Sequence, residues 1–355
     1  MRIIIHIGTP KTGSTSLQNM LRHNRETLAQ SGVLYPQISA AAHHNPLALC
    51  HYQPGSHDDG QTAWQTVTAQ AHKAQPHTVI LSTETFIRIS DFDGLRENLR
   101  QISPTADIEV VCYLRHPVRL HESKISQRMG RTAKLRLPKQ QYWTTRLAPW
   151  RDTGNLHLHA FDLAEGGRID VRTHFTETYL ADISAQIDIP EQQKNTSLSA
   201  EGAIVLQTLM RAQGIEDGAA FKTTSNMLRA RITDAEHALR GRVCLHPIRV
   251  TTPVAWQVLD AAYEDMVGLE RDFGFRFADA AIYDQAAMQA GLRAADDTQL
   301  ARTEDDALLP LVTADAQSAL QIMAHVTAQG AIHAAPDPLK HVKTGLRKLT
   351  RRAGR

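Results

Sequence analysis

The feature that most constrains this chain is its opening. A short β-branched run, Arg2–Ile7, stops at Gly8-Thr9-Pro10-Lys11-Thr12-Gly13, and a helical pattern begins at Ser14. Leu17, Met20, Leu21 and Leu28 then recur near i, i+3, i+4 spacing, which predicts a helix over Ser14–Gln30. A strand that passes through a glycine turn straight into a helix is the start of a βαβ unit, and further strands follow. Gly32–Pro36 reads as a short second strand, Thr78–Ser82 as a third and Asp107–Leu114 as the strongest, with a helix near Thr62–Ala74 between them. The apolar run Val110–Leu114 suits a strand buried on both faces. Pro117 fits the first turn of the helix after it.

Strands alternating with helices imply an α/β fold with a parallel sheet flanked by helices. Ligands collect at the carboxyl ends of such strands, and three segments lie there: Gly8–Thr15, Ser82–Glu84 and Arg115–Ser123. From Ser199 the chain reads as mainly helical to about Asp272. The expected organisation is therefore an α/β core over residues 1–212, a helical extension over 213–295, a helical segment over 296–335 and a basic tail over 336–355.

Composition narrows the setting. The formal charge is +2, but Lys340–Arg355 holds seven Lys or Arg and no acid; removing those seven from +2 leaves −5 for the body. An acidic body without interleaved basic and aromatic residues argues against nucleic-acid binding. Cys50, Cys112 and Cys244 are far apart and odd in number, so neither a disulfide framework nor a metal knuckle is expected. No apolar stretch approaches a membrane span, and no secretory leader is visible. The expectation is a cytoplasmic protein. Its tail, with Leu339, Val342, Leu346 and Leu349 at helical intervals among cations, reads first as a solvated flexible tail and second as a peripheral contact with the inner face of the membrane.

The loop carries the chemistry. Its glycine spacing resembles the nucleotide-binding P-loop, G-x-x-x-x-G-K-[ST], except that Ser14 stands where that motif has its lysine and Lys11 comes three positions earlier. Outward-facing N–H groups and the helix dipole suit a phosphate at such a site. Pro10-Lys11-Thr12-Gly13-Ser14-Thr15-Ser16-Leu17 closely resembles the 5′-phosphosulfate loop of sulfotransferases that use 3′-phosphoadenosine-5′-phosphosulfate (PAPS), in particular bacterial carbohydrate-type enzymes. That family also carries an arginine at a strand end and a serine eight residues on. Arg115 and Ser123 have that spacing. Asn195-Thr196-Ser197-Leu198-Ser199 resembles a further stretch of bacterial members, although Ser199 also reads as a plain helix cap.

The resemblance implies a P-loop-type sheet and a transfer of the sulfuryl group from PAPS to an acceptor hydroxyl or amine. It implies release of 3′-phosphoadenosine 5′-phosphate (PAP), and no metal. Pro10, Lys11, Thr12, Gly13, Ser14 and Thr15 would hold the 5′ end of the cofactor. Arg115 and Ser123 would hold its 3′-phosphate, with Asn195 and Ser197 near the nucleotide. Lys11 would stabilise the leaving group. Glu84, after the third strand, is the leading base, and partial burial there would tune it for proton abstraction near neutral pH. His44, beside His43 in a polar loop, is the competing catalytic candidate in a chain of 18 histidines. Lys124, Gln127, Arg128, Arg131, Lys134 and Arg136 read either as an entrance for an anionic acceptor or as a solvated helix face. The acceptor class is carbohydrate or glycolipid. Two rivals stay open: a P-loop kinase of a small metabolite, and a non-catalytic nucleotide-binding or membrane-associated protein.

Overall fold

The computed structural model describes residues 1–52, 58–132, 142–163, 167–191, 197–296 and 312–328. Five strands, β1 (Arg2–His6), β2 (Val33–Leu34), β3 (Thr78–Ser82), β4 (Asp107–Leu114) and β5 (Asn155–Ala160), form one sheet in the order β2-β3-β1-β4-β5. Every pairing is parallel. The protein is α/β with a five-stranded parallel sheet flanked by helices, as the alternation of patterns implies.

The order places β1 at the centre and sends the chain first to one side, through β2 and β3, then to the other, through β4 and β5. Chain direction across the sheet therefore reverses at β1 and β4, the position where open parallel sheets commonly bind ligands. Side-chain alternation explains the core. Ile4, Ile80, Val111 and Tyr113 face helices α1 (Ser14–His23), α2 (Arg25–Gln30) and α8 (Val171–Tyr179), where they pack with Leu17, Leu21, Leu28 and Phe175. Their neighbours Ile3, Ile5, Val79, Leu81, Val110 and Cys112 are equally buried on the opposite face. The Cys112 thiol is held far up by burial and is a core residue.

Between the strands lie α3 (Asn45–Leu49), α4 (Asp58–Ala74), a 3-10 turn at Glu84–Arg88 and α5 (Phe92–Ile102). The helix expected over Ser14–Gln30 is broken at Asn24. The Asn24 side chain donates to the carbonyls of Met20 and Asp188 and accepts from the Asp188 N–H, so a distant segment competes with the helix for it.

The chain clusters into two units whose boundaries differ from the expected 1–212 core. The sheet-bearing unit draws on Met1–His116, Gln141–Gln193 and Glu264–Tyr283. Its late segment belongs there for a specific reason. Asp265, in α11 (Thr252–Phe273), accepts from the N–H of Trp143 at 2.6 Å and of Thr144 at 3.0 Å. It thereby caps α7 (Trp143–Arg151), and Phe277 stacks against Trp143 and His116.

The second unit draws on Pro117–Gln140, Lys194–Tyr263 and Asp284–Arg355. It contains α6 (Pro117–Arg128), α9 (Ala200–Ala212), α10 (Gly218–Ala238), α12 (Gln285–Asp296) and α13 (Ala316–Ala328). Leu206, Leu209, Phe221, Leu228, Ile232, Ile322 and Val326 join α9, α10 and α13 in one core. Ile125 and Met129 pack with Ala200, Val254 and Val258 in another, which draws the middle of the expected extension and the α6 segment together. Lys134, Arg136 and the basic tail lie outside the described residues. Among the described residues, no helix is long and apolar enough to cross a membrane.

Candidate functional site

The loop between β1 and α1 is fixed by its backbone. Gly13 sits at φ 81° and a methyl carbon on it would lie 2.7 Å from Val171 Cγ2, so both conformation and space demand glycine. Lys11, at φ 72°, also occupies the left-handed region, where an L side chain is rarely found. Thr12 Oγ1 donates to the Thr9 carbonyl at 2.7 Å, and Thr9 Oγ1 donates to the Tyr113 carbonyl at 2.8 Å, tying the loop to β4. The Thr12 hydroxyl is thus spent inside the loop. That bond braces the loop.

The helix that follows is prepared for an anion. Gly13 brings no capping side chain, and the first turn of α1 carries no acid, so nothing offsets the positive end of the dipole there. Ser14 is buried and Thr15 is exposed; Pro10 and Lys11 are half-buried. The Ser14 hydroxyl has no hydrogen-bond partner among the described residues.

Lys11 and Arg115 are brought together. Arg115 follows β4, and its Nη1 donates to the Lys11 carbonyl at 2.9 Å. The same guanidinium lies over the Phe161 ring at 5.2 Å, and its Nε is 3.6 Å from Asp162 Oδ1. Asp162 in turn accepts from the His116 N–H at 2.9 Å. Arg115 is 9% exposed. Its bond to the Lys11 carbonyl ties the loop to the end of β4.

A buried polar network lies under the loop. His6 Nδ1 is 2.8 Å from Ser82 Oγ, and Gln18 Nε2 approaches the Ser82 hydroxyl at 3.3 Å and its carbonyl at 3.4 Å. Burial holds the His6 imidazole down to about 4, so it is neutral at physiological pH. Sequence reasoning passed over His6. The available signal was a histidine inside an aliphatic strand, two residues before a glycine loop.

His44 belongs to the same network, which corrects its reading as a catalytic histidine in a polar loop. It is 1% exposed. Its Nδ1 accepts from the Ser82 N–H at 3.1 Å, and its Nε2 lies 2.9 Å from the Pro36 carbonyl. Because that carbonyl only accepts, Nε2 carries the proton and neither nitrogen keeps a lone pair for abstraction. Burial pushes the ring down to about 3.

Glu84 stands where the strand pattern expected, at the carboxyl end of β3, one residue beyond the Thr83 cap of the 3-10 turn. It is exposed, so the expected partial burial is corrected. At the far end of the same turn, Tyr52, Ile87, Arg88, Ile89 and Arg146 line an open pocket of about 300 Å³.

Ser123 and Ser197 belong to the second unit. Ser123 is half-buried in the second turn of α6, and Ser197 is exposed. Asn195 lies outside the described residues. In the stretch that follows it, Leu198 enters the core of α9, α10 and α13, while Ser199 Oγ accepts from the Gly202 N–H at 2.9 Å. Capping and packing account for those two positions. Among the described residues, no group of three or more His, Cys, Asp or Glu is placed to hold a metal ion. No protein-family profile, curated protein or solved structure matches the chain.

Proposed function

We propose that the chain is a PAPS-dependent sulfotransferase on a P-loop-type scaffold, acting on a hydroxyl or amine of a carbohydrate or glycoconjugate. The observation that carries the reading is the bond between Arg115 Nη1 and the Lys11 carbonyl. It joins two cationic strand ends around a helix N-terminus with no acid in its first turn. A nucleotide phosphorylated on both its 5′ and 3′ oxygens needs positive groups at two separated points, and neighbouring strands β1 and β4 offer them.

Bound PAPS would supply the sulfuryl group. Lys11 and the first N–H groups of α1 hold the 5′-phosphosulfate and stabilise the charge that develops on the leaving oxygen. The acceptor oxygen forms a bond to sulfur as the bond from sulfur to the 5′-phosphate oxygen breaks, and PAP departs with that electron pair. The acceptor proton passes to the Glu84 carboxylate, which solvent reaches. Positioning and electrostatics dominate such transfers, by analogy with phosphoryl transfer. Arg115 would face the 3′-phosphate with the guanidinium nitrogens not turned to Asp162, and its Nη1 bond to the Lys11 carbonyl holds the loop as well. The buried free thiols Cys50 and Cys112 suit a reducing compartment such as the cytoplasm.

Thermal-shift measurements with PAP, ADP and ATP plus Mg²⁺ test the cofactor. Stabilisation by PAP, followed by transfer from labelled PAPS to a glycan in host-cell extract, is the expected result. Stabilisation by ATP plus Mg²⁺ alone would replace the proposal with a kinase. Binding of PAP with no labelled product from any extract would replace it with a non-catalytic nucleotide-binding protein.

A further inference from the structure

The transfer described above makes no use of His6, a fully buried imidazole in an otherwise aliphatic strand. Its neighbours fix its tautomer. The Ser82 carbonyl only accepts, so the end of the Gln18 amide facing it is the NH₂. That NH₂ also donates to Ser82 Oγ. The Ser82 hydroxyl proton has no acceptor among the described residues other than His6 Nδ1, and is therefore directed at it. The His6 proton therefore resides on Nε2.

Nε2 is buried and has no acceptor among the described residues. It faces the loop: a methyl carbon on Gly8 would lie 3.1 Å from His6 Nε2 and 2.8 Å from Ser14 Oγ. Two buried donors, one from β1 and one from the first residue of α1, thus converge on the space beside Gly8. Buried donors in folded proteins are almost always satisfied. Both of these lie where the α1 N-terminus already favours negative charge.

We propose that His6 Nε2–H and Ser14 Oγ–H are a donor pair for one oxygen of the anion held by the Gly8–Thr15 loop, with Ser82 and Gln18 setting the His6 tautomer for that task. The inference rests on the reading of the loop as an anion site. It adds a chemical distinction. A neutral imidazole gives a directed hydrogen bond without adding charge, so Lys11 stays the one full charge within Gly8–Thr15.

The test uses the full chain, with PAP and inorganic pyrophosphate as titrated probes. His6→Phe keeps a ring and removes the donor; His6→Gln returns an N–H near the Nε2 position. His6→Phe is expected to weaken PAP binding by about ten-fold and His6→Gln to recover most of it. Ser14→Ala and Ser82→Ala carry the test should His6→Phe fail to fold. Each is expected to weaken binding by roughly three-fold or more, with an unchanged far-ultraviolet spectrum. Nitrogen NMR of the wild-type protein should place the His6 proton on Nε2. A proton on Nδ1, or equal PAP affinity in wild type, Ser14→Ala and Ser82→Ala, would overturn the proposal. A wild-type chain that binds neither probe would overturn the underlying reading of the loop instead, before any variant is compared.

Discussion

Replacing Arg115 by alanine removes its bond to the Lys11 carbonyl and its stacking on Phe161, and it leaves Asp162 without its cation. The Arg115 and Asp162 side chains are each 11% exposed, so the pair falls in the buried regime, where deleting one partner costs about 3–5 kcal/mol. The separation of 3.6 Å is long for a direct bond, which favours the lower end. The charged donor to Lys11 is worth about 1.5–3 kcal/mol by itself and overlaps with that figure, so the two do not simply add. A loss of about 3–5 kcal/mol in a sheet unit of this size lowers its melting temperature by about 6–20 °C. The assay is denaturation of the full chain followed by tryptophan fluorescence, which reads Trp64, Trp143 and Trp150 in the sheet unit. A double-mutant cycle with Asp162→Asn separates the causes, because asparagine can still accept from the His116 N–H while the stranded charge is gone. The double variant should recover at least about 1 kcal/mol relative to the sum of the singles. Additivity within about 0.5 kcal/mol would refute the coupling between Arg115 and Asp162, and an unmoved melting temperature in Arg115→Ala would refute the claim that this arginine holds the loop.

Three further outcomes are expected. Lys11→Gly relieves the left-handed backbone and should raise stability by about 1 kcal/mol in chemical denaturation while abolishing sulfuryl transfer. Glu84→Gln should cut turnover sharply and leave PAP affinity, read by calorimetry, within about two-fold of wild type. His44 and His6 are neutral and buried when folded and titrate near their ordinary value of 6.5 when unfolded. The unfolded chain therefore binds more protons below pH 6.5. Stability is fully present above that value and falls as pH drops from 6.5 toward about 4 for His6 and about 3 for His44, by at most about 1.4 kcal/mol per pH unit for each group. Urea titrations across that range should show a shallower slope in His44→Gln.

The parts of this fold that one can read from sequence are those in which local pattern and tertiary role agree. Thr78–Ser82 and the Val110–Leu114 part of Asp107–Leu114 are buried on both faces, and both strands have the same bounds in sequence and structure. β5 escaped notice because Asn155-Leu-His-Leu-His-Ala is an edge strand with polar residues at alternate positions and two histidines. The nearness of Lys11 and Arg115 was foreseeable from two segments that each follow the carboxyl end of a strand in a parallel sheet. The bond that joins them was not, because it depends on a left-handed lysine whose carbonyl turns toward β4. His44 shows the opposite error. Its neighbours Ala41, Ala42, His43 and Asn45 suggest solvent, yet Tyr35 stacks on it at 4.5 Å and both nitrogens are used.

The caps that Asp265 places on Trp143 and Thr144 bear on how the molecule can be cut. A recombinant piece ending at Ala212 would contain every strand, yet α7 would start with bare amide groups and Trp143 would lose its Phe277 cover. Such a piece should be prone to aggregate. For the sheet domain, the shortest stretch worth expressing runs to Tyr283, and a protease nick between Ala212 and Glu264 should leave the two products associated rather than free.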